Sequence, residues 1–486
     1  MNSSSKDTQG SSNPKNFLEL SYVELEQLNL LAKEKMKNHT PAAELREHYT
    51  SYLSKEPRLK AVTLCFTDIE GRFHMLDYDK KFLLKNSDNL TFDGSSVRGF
   101  SQVDQSDLRL EPDWGSLRWL PCDVFGPGKV IMFAGIKDAE GNPYSSDMRS
   151  QLKMYTEQLR IEKAYVTNFA VECEGFLLDG LNAEQNYQMQ KGFDLVSSGG
   201  YYHSLPKDKL RLFIDEFAEA QRAMGFENEK DHPEVAPSQF ELNYTYTDAL
   251  IAADLIQIYK LLARQIAANS GLTASFLPKP IPGINGSGMH CNISLSHKGK
   301  NIFYSEQGPS KLSALGWDFI EKILYSANDL SLALNPSVNA YRRLDPHFEA
   351  PNQIKSSAND RTSMVRIPLG NEHSSRIEVR SVAPDVNPYM AFLLLLRTGL
   401  EGPTESAQEQ KRARTRVLPG NIQDAIKHFK ASEVIKRFLG EETQEKYVER
   451  KIAAANRCAK ELGSLVKTEE VIFHHEVTNQ FLWSRF

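Results

Sequence analysis

The chain has 486 residues, enough for two or more domains and a large core, and its net charge of −5 with a pI near 6.2 gives no general reason to expect nucleic acid or an anionic membrane as partner. No apolar run approaches the length of a membrane span. Five scattered cysteines, odd in number and without CxxC spacing, fit reduced thiols in a cytoplasmic protein better than a disulfide framework or a zinc site.

Met1 to Asn13 is Ser-rich and polar, lacks the apolar core of a signal peptide and reads as a disordered tail. Residues 17–53 are helical in character, with Leu18, Leu20, Leu28, Leu30 and Leu31 set among charges, so 1–57 reads as tail and helical extension. The style changes at 58. Ala61–Phe66 is strand-like, Asp68-Ile69-Glu70-Gly71 is turn chemistry, and Phe73–Asp77 resumes as a hairpin partner. Residues 58–144 therefore read as a small, mostly β domain. From 145 to 486 helices alternate with strands. Helical periodicity covers Met148–Lys163, Lys207–Met224, Ala249–Ser270 and Ser313–Leu334, and a charged helical segment runs over 421–470. Strands are expected at 168–178, 238–246, 289–296, 363–368 and 375–381. Alternation points Cys173 and Cys291 to the apolar side. The basic run Glu409–Arg416 has no aromatic company and reads as a solvated loop, and His474-His475 reads as structural or surface.

Four of these strands offer polar groups at period two, hence on one face. They are Glu172 and Glu174; Gln239, Glu241 and Asn243; His290, Asn292 and Ser294; and Arg376, Glu378 and Arg380. Glu234 lies just upstream of Glu241, and Gly283–Gly288 forms a flexible loop before His290. A half-wet strand carries polar residues by default, so each alone is weak. Five glutamates and a histidine, if the strands converge, would repel one another unless cations sit among them, and that donor set suits Mg²⁺ or Mn²⁺ better than zinc. The arginines suit phosphate and carboxylate groups. No GxxxxGK[ST] loop and no strand-linked GxGxxG is present, so a nucleotide would be held by metals and arginines, with Arg342, Arg343, Arg361 and Arg366 also at hand.

Phe92-Asp93-Gly94-Ser95-Ser96, Lys279-Pro280, Asn285–His290, Tyr341–Leu344, Phe348–Pro351, Arg376–Arg380 and Asn387-Pro388-Tyr389 stand in the order found in glutamine synthetases of the bacterial type I class, which this sequence resembles over roughly 58–402. The resemblance implies an α+β fold, with an N-terminal β-grasp domain and a larger catalytic domain whose antiparallel sheet is flanked by helices. It implies an enzyme that joins ammonia to glutamate with ATP through γ-glutamyl phosphate. By resemblance, Glu174, Glu234 and Glu241 would hold one Mg²⁺ or Mn²⁺, and Glu172, His290 and Glu378 another. Arg361 and Arg366 would neutralise the transferred phosphoryl. Arg343, Arg380, Asn285 and Gly286 would bind glutamate, and Tyr246, Ser294 and Arg376 would lie near adenine. Asp93, Ser96, Tyr201, Glu234 and Glu349 match the ammonium site, with Asp93 supplied by a neighbouring subunit of a homo-oligomer, by family habit a dodecamer.

The sequence departs from the family at Ser238-Gln239-Phe240-Glu241 (usually Gly-Gln-His-Glu), at Asp360-Arg361-Thr362 (usually Asn-Arg-Ser), at Asn292 (usually His) and at Arg98. Segment 403–417 is short and without tyrosine, so control by adenylylation is not expected. A γ-glutamyl ligase for a polyamine or methylamine, and a non-catalytic relative, are the alternatives.

Overall fold

The computed structural model describes residues 16–97, 99–101, 106–187, 191–344, 350–404 and 416–460, the last five without side chains. The tail, Arg98, Glu349, most of the 409–416 run and His474-His475 lie outside the described residues.

The helical extension is two helices, α1 (Tyr22–Lys37) and α2 (Ala42–Lys55), parted at Pro41, which has no N–H to continue a helix. Ser21 and Glu24 cap α1 reciprocally. The smaller sheet follows, from β1 (Ala61–Thr67), β2 (Phe73–Asp79), β3 (Leu90–Asp93), β4 (Asp107–Pro112), β5 (Arg118–Trp119) and β6 (Val130–Lys137), in the order β2-β1-β6-β4-β3 with β5 beside β6. Short helices α3 (Lys80–Asn86) and α4 (Cys122–Phe125) interrupt it. Its core includes Val62, Leu64, Leu110 and Met132, and Leu25, Leu45 and Leu53 of the extension join it.

The larger sheet has ten strands among the described residues. Its spine is β7 (Tyr165–Asp179), which pairs with β9 (Gln239–Tyr244) and with β12 (Met289–His297); β8 (Asn228–Pro233) lies outside β9. Two short strands, β10 (Thr247–Asp248) and β11 (Leu272–Ser275), also join β7, and β13 (Lys300–Asn301) joins β12. Beyond β12 come β16 (Ile377–Val379), β15 (Ser363–Arg366) and β14 (Gln353–Ser357).

Helices cover the apolar face. The first, α5 (Met148–Lys163), runs over the residues its periodicity marks, burying Met148, Leu152, Tyr155 and Leu159 at i, i+4, i+7 and i+11. With α6 (Lys209–Ala223) and α7 (Ala249–Asn269) it builds one core with the sheet. The expected helix over 313–334 is two, α8 (Ala314–Tyr325) and α9 (Ala327–Leu334), broken at Ser326. The short α10 (Val338–Arg343) carries Arg343. Almost every residue of α11 (Pro388–Glu401) is buried, and three more helices, Ile422–Ala431, Glu433–Leu439 and Glu441–Lys460, close the described chain. Cys65, Cys173 and Cys291 are buried free thiols, the latter two on the apolar side as alternation expects.

Asn387-Pro388-Tyr389 acts as a joint between the two sheets. Asn387 caps α11, and its Nδ2 donates to the Asp68 and Ile69 carbonyls in the β1–β2 turn, both at 3.2 Å. Gly71 closes that turn at φ +94°, and a Cβ there would meet Asn387 Cα at 2.6 Å. Lys451 of the last helix grips the same turn through Glu70 at 2.8 Å.

Candidate metal and anion site

Strand register decides which polar groups meet, because a shift of one residue sends a whole set to the other face. In the larger sheet His290 stands opposite Glu172, and Glu378 stands between Asn292 and Arg366. Glu241 stands between Glu174 and His232. The four polar faces thus share one surface, as alternation requires.

Two clusters form there. In one, Glu172, His290 and Glu378 bring ligand atoms within 4.8 Å of one another. His290 Nδ1 is 3.3 Å from Glu172 Oε2 and 3.8 Å from Glu378 Oε1. Asn292 donates to Glu172 at 3.0 Å and accepts from Arg376 Nε at 2.9 Å. Burial pushes the Glu172 carboxyl up, but the hydrogen bond and charge of His290 and the Asn292 amide prevail and hold it at about 2, while burial and Arg380 push the His290 imidazole below its ordinary value. Glu378 is fully buried and accepts from Arg366 Nε and Arg380 Nη1, each at 2.6 Å.

In the other cluster, His232, Glu234 and Glu241 bring ligand atoms within 4.8 Å of one another. Glu174 stands beside it, its Oε2 accepting from the Gly288 N–H at 2.9 Å and from Gln239 Nε2 at 3.2 Å. Burial first, then the neighbouring carboxylates, pushes Glu174, Glu234 and Glu241 each up to about 8. Three acids that resist ionising together, with a buried imidazole nitrogen that has no partner beside them, are a donor set suited to a hard divalent cation.

This has a measurable consequence. Acids held above their ordinary 4.5 contribute stability to the metal-free fold that is fully present below that value and is lost as pH rises through about 8. A cation needs the ionised form and must displace those protons, so its affinity rises by about tenfold per pH unit for each proton displaced, levelling off above pH 8. The rise in Tm on adding Mn²⁺ is therefore expected to be clearly larger at about pH 8.5 than at about pH 6.5; equal increments would show that these carboxyls do not bind the ion.

Glycines let the loop approach. A Cβ at Gly286 would meet the Pro278 carbonyl at 2.5 Å, and one at Gly288 would meet Arg343 Nη2 at 2.6 Å and His290 Nε2 at 2.7 Å. Arg343 Nη2 in turn donates to the Arg380 carbonyl at 2.8 Å. Arg361 is exposed, and its carbonyl accepts from Arg380 Nε at 3.3 Å. Asn285 lies half-buried in the loop, and Ser294 lies two residues beyond Asn292 on the same face of β12. Tyr246 is exposed in the turn between β9 and β10. Tyr201 stacks on Tyr202 and meets the His232 ring edge-on at 5.5 Å, beside the second cluster.

Asp93 and Ser96 are not brought to these clusters within the chain. Asp93 ends β3 in the smaller sheet and Ser96 lies in the tight turn after it, where the Asp93 carboxylate accepts from Ser95 and Ser96. Those hydrogen bonds hold its carboxyl below the usual range, so it stays ionised in the open.

The departures fall where they leave the clusters intact. Phe240 points away from Glu241 into the core, against Phe213 at 4.9 Å. Ser238 holds φ +60°, the region glycine favours, and its Oγ accepts from the Val196 and Ser197 N–H groups. Thr362 donates to Asp360 through both N–H and hydroxyl. The residue that sequence reasoning missed is His232. The period-two series Lys230, His232, Glu234 was the available signal.

Residues 145–465 match the family described as "Glutamine synthetase, catalytic domain", and residues 58–138 match "Glutamine synthetase, beta-Grasp domain". The chain belongs to the glutamine synthetase family. A glutamine synthetase of Methanosarcina mazei is 35% identical over 424 residues, which span 84% of this chain and 92% of that one. One of Clostridium saccharobutylicum is 36% identical over 421 residues, 82% of this chain and 93% of the other. Among solved structures, a GmaS complex with ADP superposes with a TM-score of 0.74 at 25% identity, covering 87% of this chain and 99% of that one. Plasmodium falciparum glutamine synthetase superposes with a TM-score of 0.75 at 21% identity over 87% of this chain and 98% of that one, a likeness of fold. The α+β architecture with a β-grasp domain is that of the glutamine synthetase family. No helix among the described residues is long and apolar enough to cross a membrane.

Proposed function

We propose that this chain is a glutamate–ammonia ligase, joining ammonia to the γ-carboxylate of glutamate with ATP, through γ-glutamyl phosphate, to give glutamine, ADP and phosphate. The observation that carries this reading is the pair of carboxylate–imidazole clusters on adjoining strands, ringed by Arg343, Arg366 and Arg380. The glutamine synthetases that are 35–36% identical over most of their length support ammonia as the amine.

The difficulty of the reaction is bringing two anions together and then supplying a neutral amine. Mg²⁺ or Mn²⁺ held by Glu174, Glu234 and Glu241, and by Glu172, His290 and Glu378, would supply positive charge against the phosphates of ATP and the carboxylate of glutamate. Glu378 pre-orients Arg366 and Arg380 on the same face, so two guanidinium groups stand ready for anionic oxygens without reorganisation. Arg361 and Arg366 are assigned to the transferred phosphoryl, and Arg343, Arg380, Asn285 and Gly286 to glutamate. Tyr246, Ser294 and Arg376 are assigned to adenine. Ammonium needs an anionic pocket and a base to take its proton, roles assigned to Asp93, Ser96, Tyr201, Glu234 and Glu349.

Asp93 is ionised, exposed and spent on its own loop within the chain, which supports its delivery to a neighbouring subunit and a homo-oligomer, in our reading a dodecamer. We place the enzyme in the cytoplasm, consistent with its free thiols. The domains are taken as 1–57, 58–144 and 145–486.

The test is ADP release with glutamate, Mg²⁺ and ATP, comparing ammonium with methylamine and polyamines. Selective turnover with ammonium is expected. Turnover only with another amine would replace the substrate, and none with any would favour a non-catalytic chain.

A further inference from the structure

His232 is the buried group that the proposed reaction does not yet use. It sits next to last in β8, directly opposite Glu241, with its side chain 7% exposed. Its ring offers two nitrogens with different surroundings. Nδ1 has an acceptor in the Pro233 carbonyl at 3.2 Å, so the proton belongs on that nitrogen. Nε2 then carries the lone pair. It is buried with no hydrogen-bond partner and faces Glu241 Oε1 at 3.8 Å, too long for a hydrogen bond and suited to an ion between the two. Glu234 completes the group: its Oε1 lies 3.6 Å from Nδ1, and ligand atoms of all three residues come within 4.8 Å of one another.

An imidazole whose far nitrogen donates to a backbone carbonyl is the usual arrangement of a metal-ligating histidine, since that bond fixes tautomer and ring orientation. A buried polar atom left without a partner costs free energy, which coordination would recover. Tyr201 and Tyr202 meet the ring edge-on at 5.5 and 4.9 Å and restrict its rotation further.

We propose that His232 Nε2 is a direct ligand of the divalent cation held by Glu234 and Glu241, with Glu174 beside them. The inference rests on the reading of that carboxylate cluster as a metal site. Both cation sites then carry one nitrogen donor, His232 in one and His290 in the other. A nitrogen donor favours Mn²⁺ over the harder Mg²⁺. The first site is thereby tuned toward Mn²⁺ relative to one built from carboxylates alone.

The experiment is Mn²⁺ and Mg²⁺ titration of the full chain, with His232→Asn and Glu241→Gln compared with the parent. His232→Asn is expected to weaken Mn²⁺ at one site by about tenfold or more while changing Mg²⁺ by only a few-fold. Glu241→Gln is expected to weaken both ions. A second readout is the magnetic coupling of histidine nitrogen to bound Mn²⁺. It should persist in His290→Asn, where His232 is the remaining nitrogen donor, and vanish when His232→Asn is added. If Glu241→Gln weakens binding but His232→Asn leaves the Mn²⁺ to Mg²⁺ preference unchanged, His232 serves only as a packing partner of the tyrosines and the inference fails alone. A parallel loss of both ions in His232→Asn overturns it too. If neither variant alters binding, the metal reading of the cluster fails with it.

Discussion

Replacing Arg149 by methionine should cost about 3–5 kcal/mol, a large share of the stability a folded domain possesses. Arg149, 1% exposed, reaches from α5 to Asp254 of α7 through Nε and Nη2 at 2.8 and 2.7 Å, and to Asp113 at 3.0 Å. Tyr389 of α11 donates to the same Asp254 at 2.7 Å. Burial pushes the Asp113 carboxyl up, but Arg149 and Lys153 prevail and hold it at about 2. Methionine matches the volume but strands the Asp254 carboxylate in the core. Urea unfolding with the parent alongside measures the loss. Arg149→Lys, which keeps the charge but loses the two-pronged grip, should fall between the two. A change below about 1 kcal/mol in the methionine variant would show that this junction is not a stability determinant.

The largest expected effect on activity comes from Glu378→Gln. The side chain is fully buried, faces His290 and is gripped by two arginines. Glutamine keeps the shape and one acceptor but removes the negative charge that Arg366 and Arg380 both grip. In the proposed reaction it also removes a ligand of the second cation. Losing several kcal/mol of electrostatic stabilisation corresponds to a fall in kcat of roughly 10²–10⁴-fold. ADP release measures the fall, and Mn²⁺ titration should show one of two sites weakened. A kcat within about threefold of the parent would refute the role assigned to this residue.

Much of the site was legible because period two is a property of strands wherever they pair. Glu172, Glu174, Glu241, His290 and Glu378 could be placed on polar faces from their neighbours alone. Register was not legible, since nothing local states that His290 meets Glu172 or that Glu241 meets Glu174. The strand carrying His232 has no strand signature of its own, because Asn228-Glu229-Lys230-Asp231-His232-Pro233 is polar throughout and ends in proline. As an edge strand it tolerates both the charges and the proline. Asn387-Pro388-Tyr389 was visible as a family signature, yet only the structure assigns it to a joint, because its partners in the β1–β2 turn lie over three hundred residues away.

The helical extension, which carried no message in the sequence, has a mechanical one. Asn29 of α1 donates to the Trp119 carbonyl of the smaller sheet and to the Ala223 carbonyl at the end of α6, at 3.0 and 2.8 Å, while Lys33 reaches Glu227. One fastening between two bodies is a pivot, and a second fastening elsewhere turns the pivot into a strut. Asn387 at the β1–β2 turn and Asn29 at β5 are two such fastenings. The smaller sheet, which ends at Asp93, is therefore fastened to the rest of its own chain at two points, and in the proposed homo-oligomer those intrachain contacts would set where Asp93 is presented.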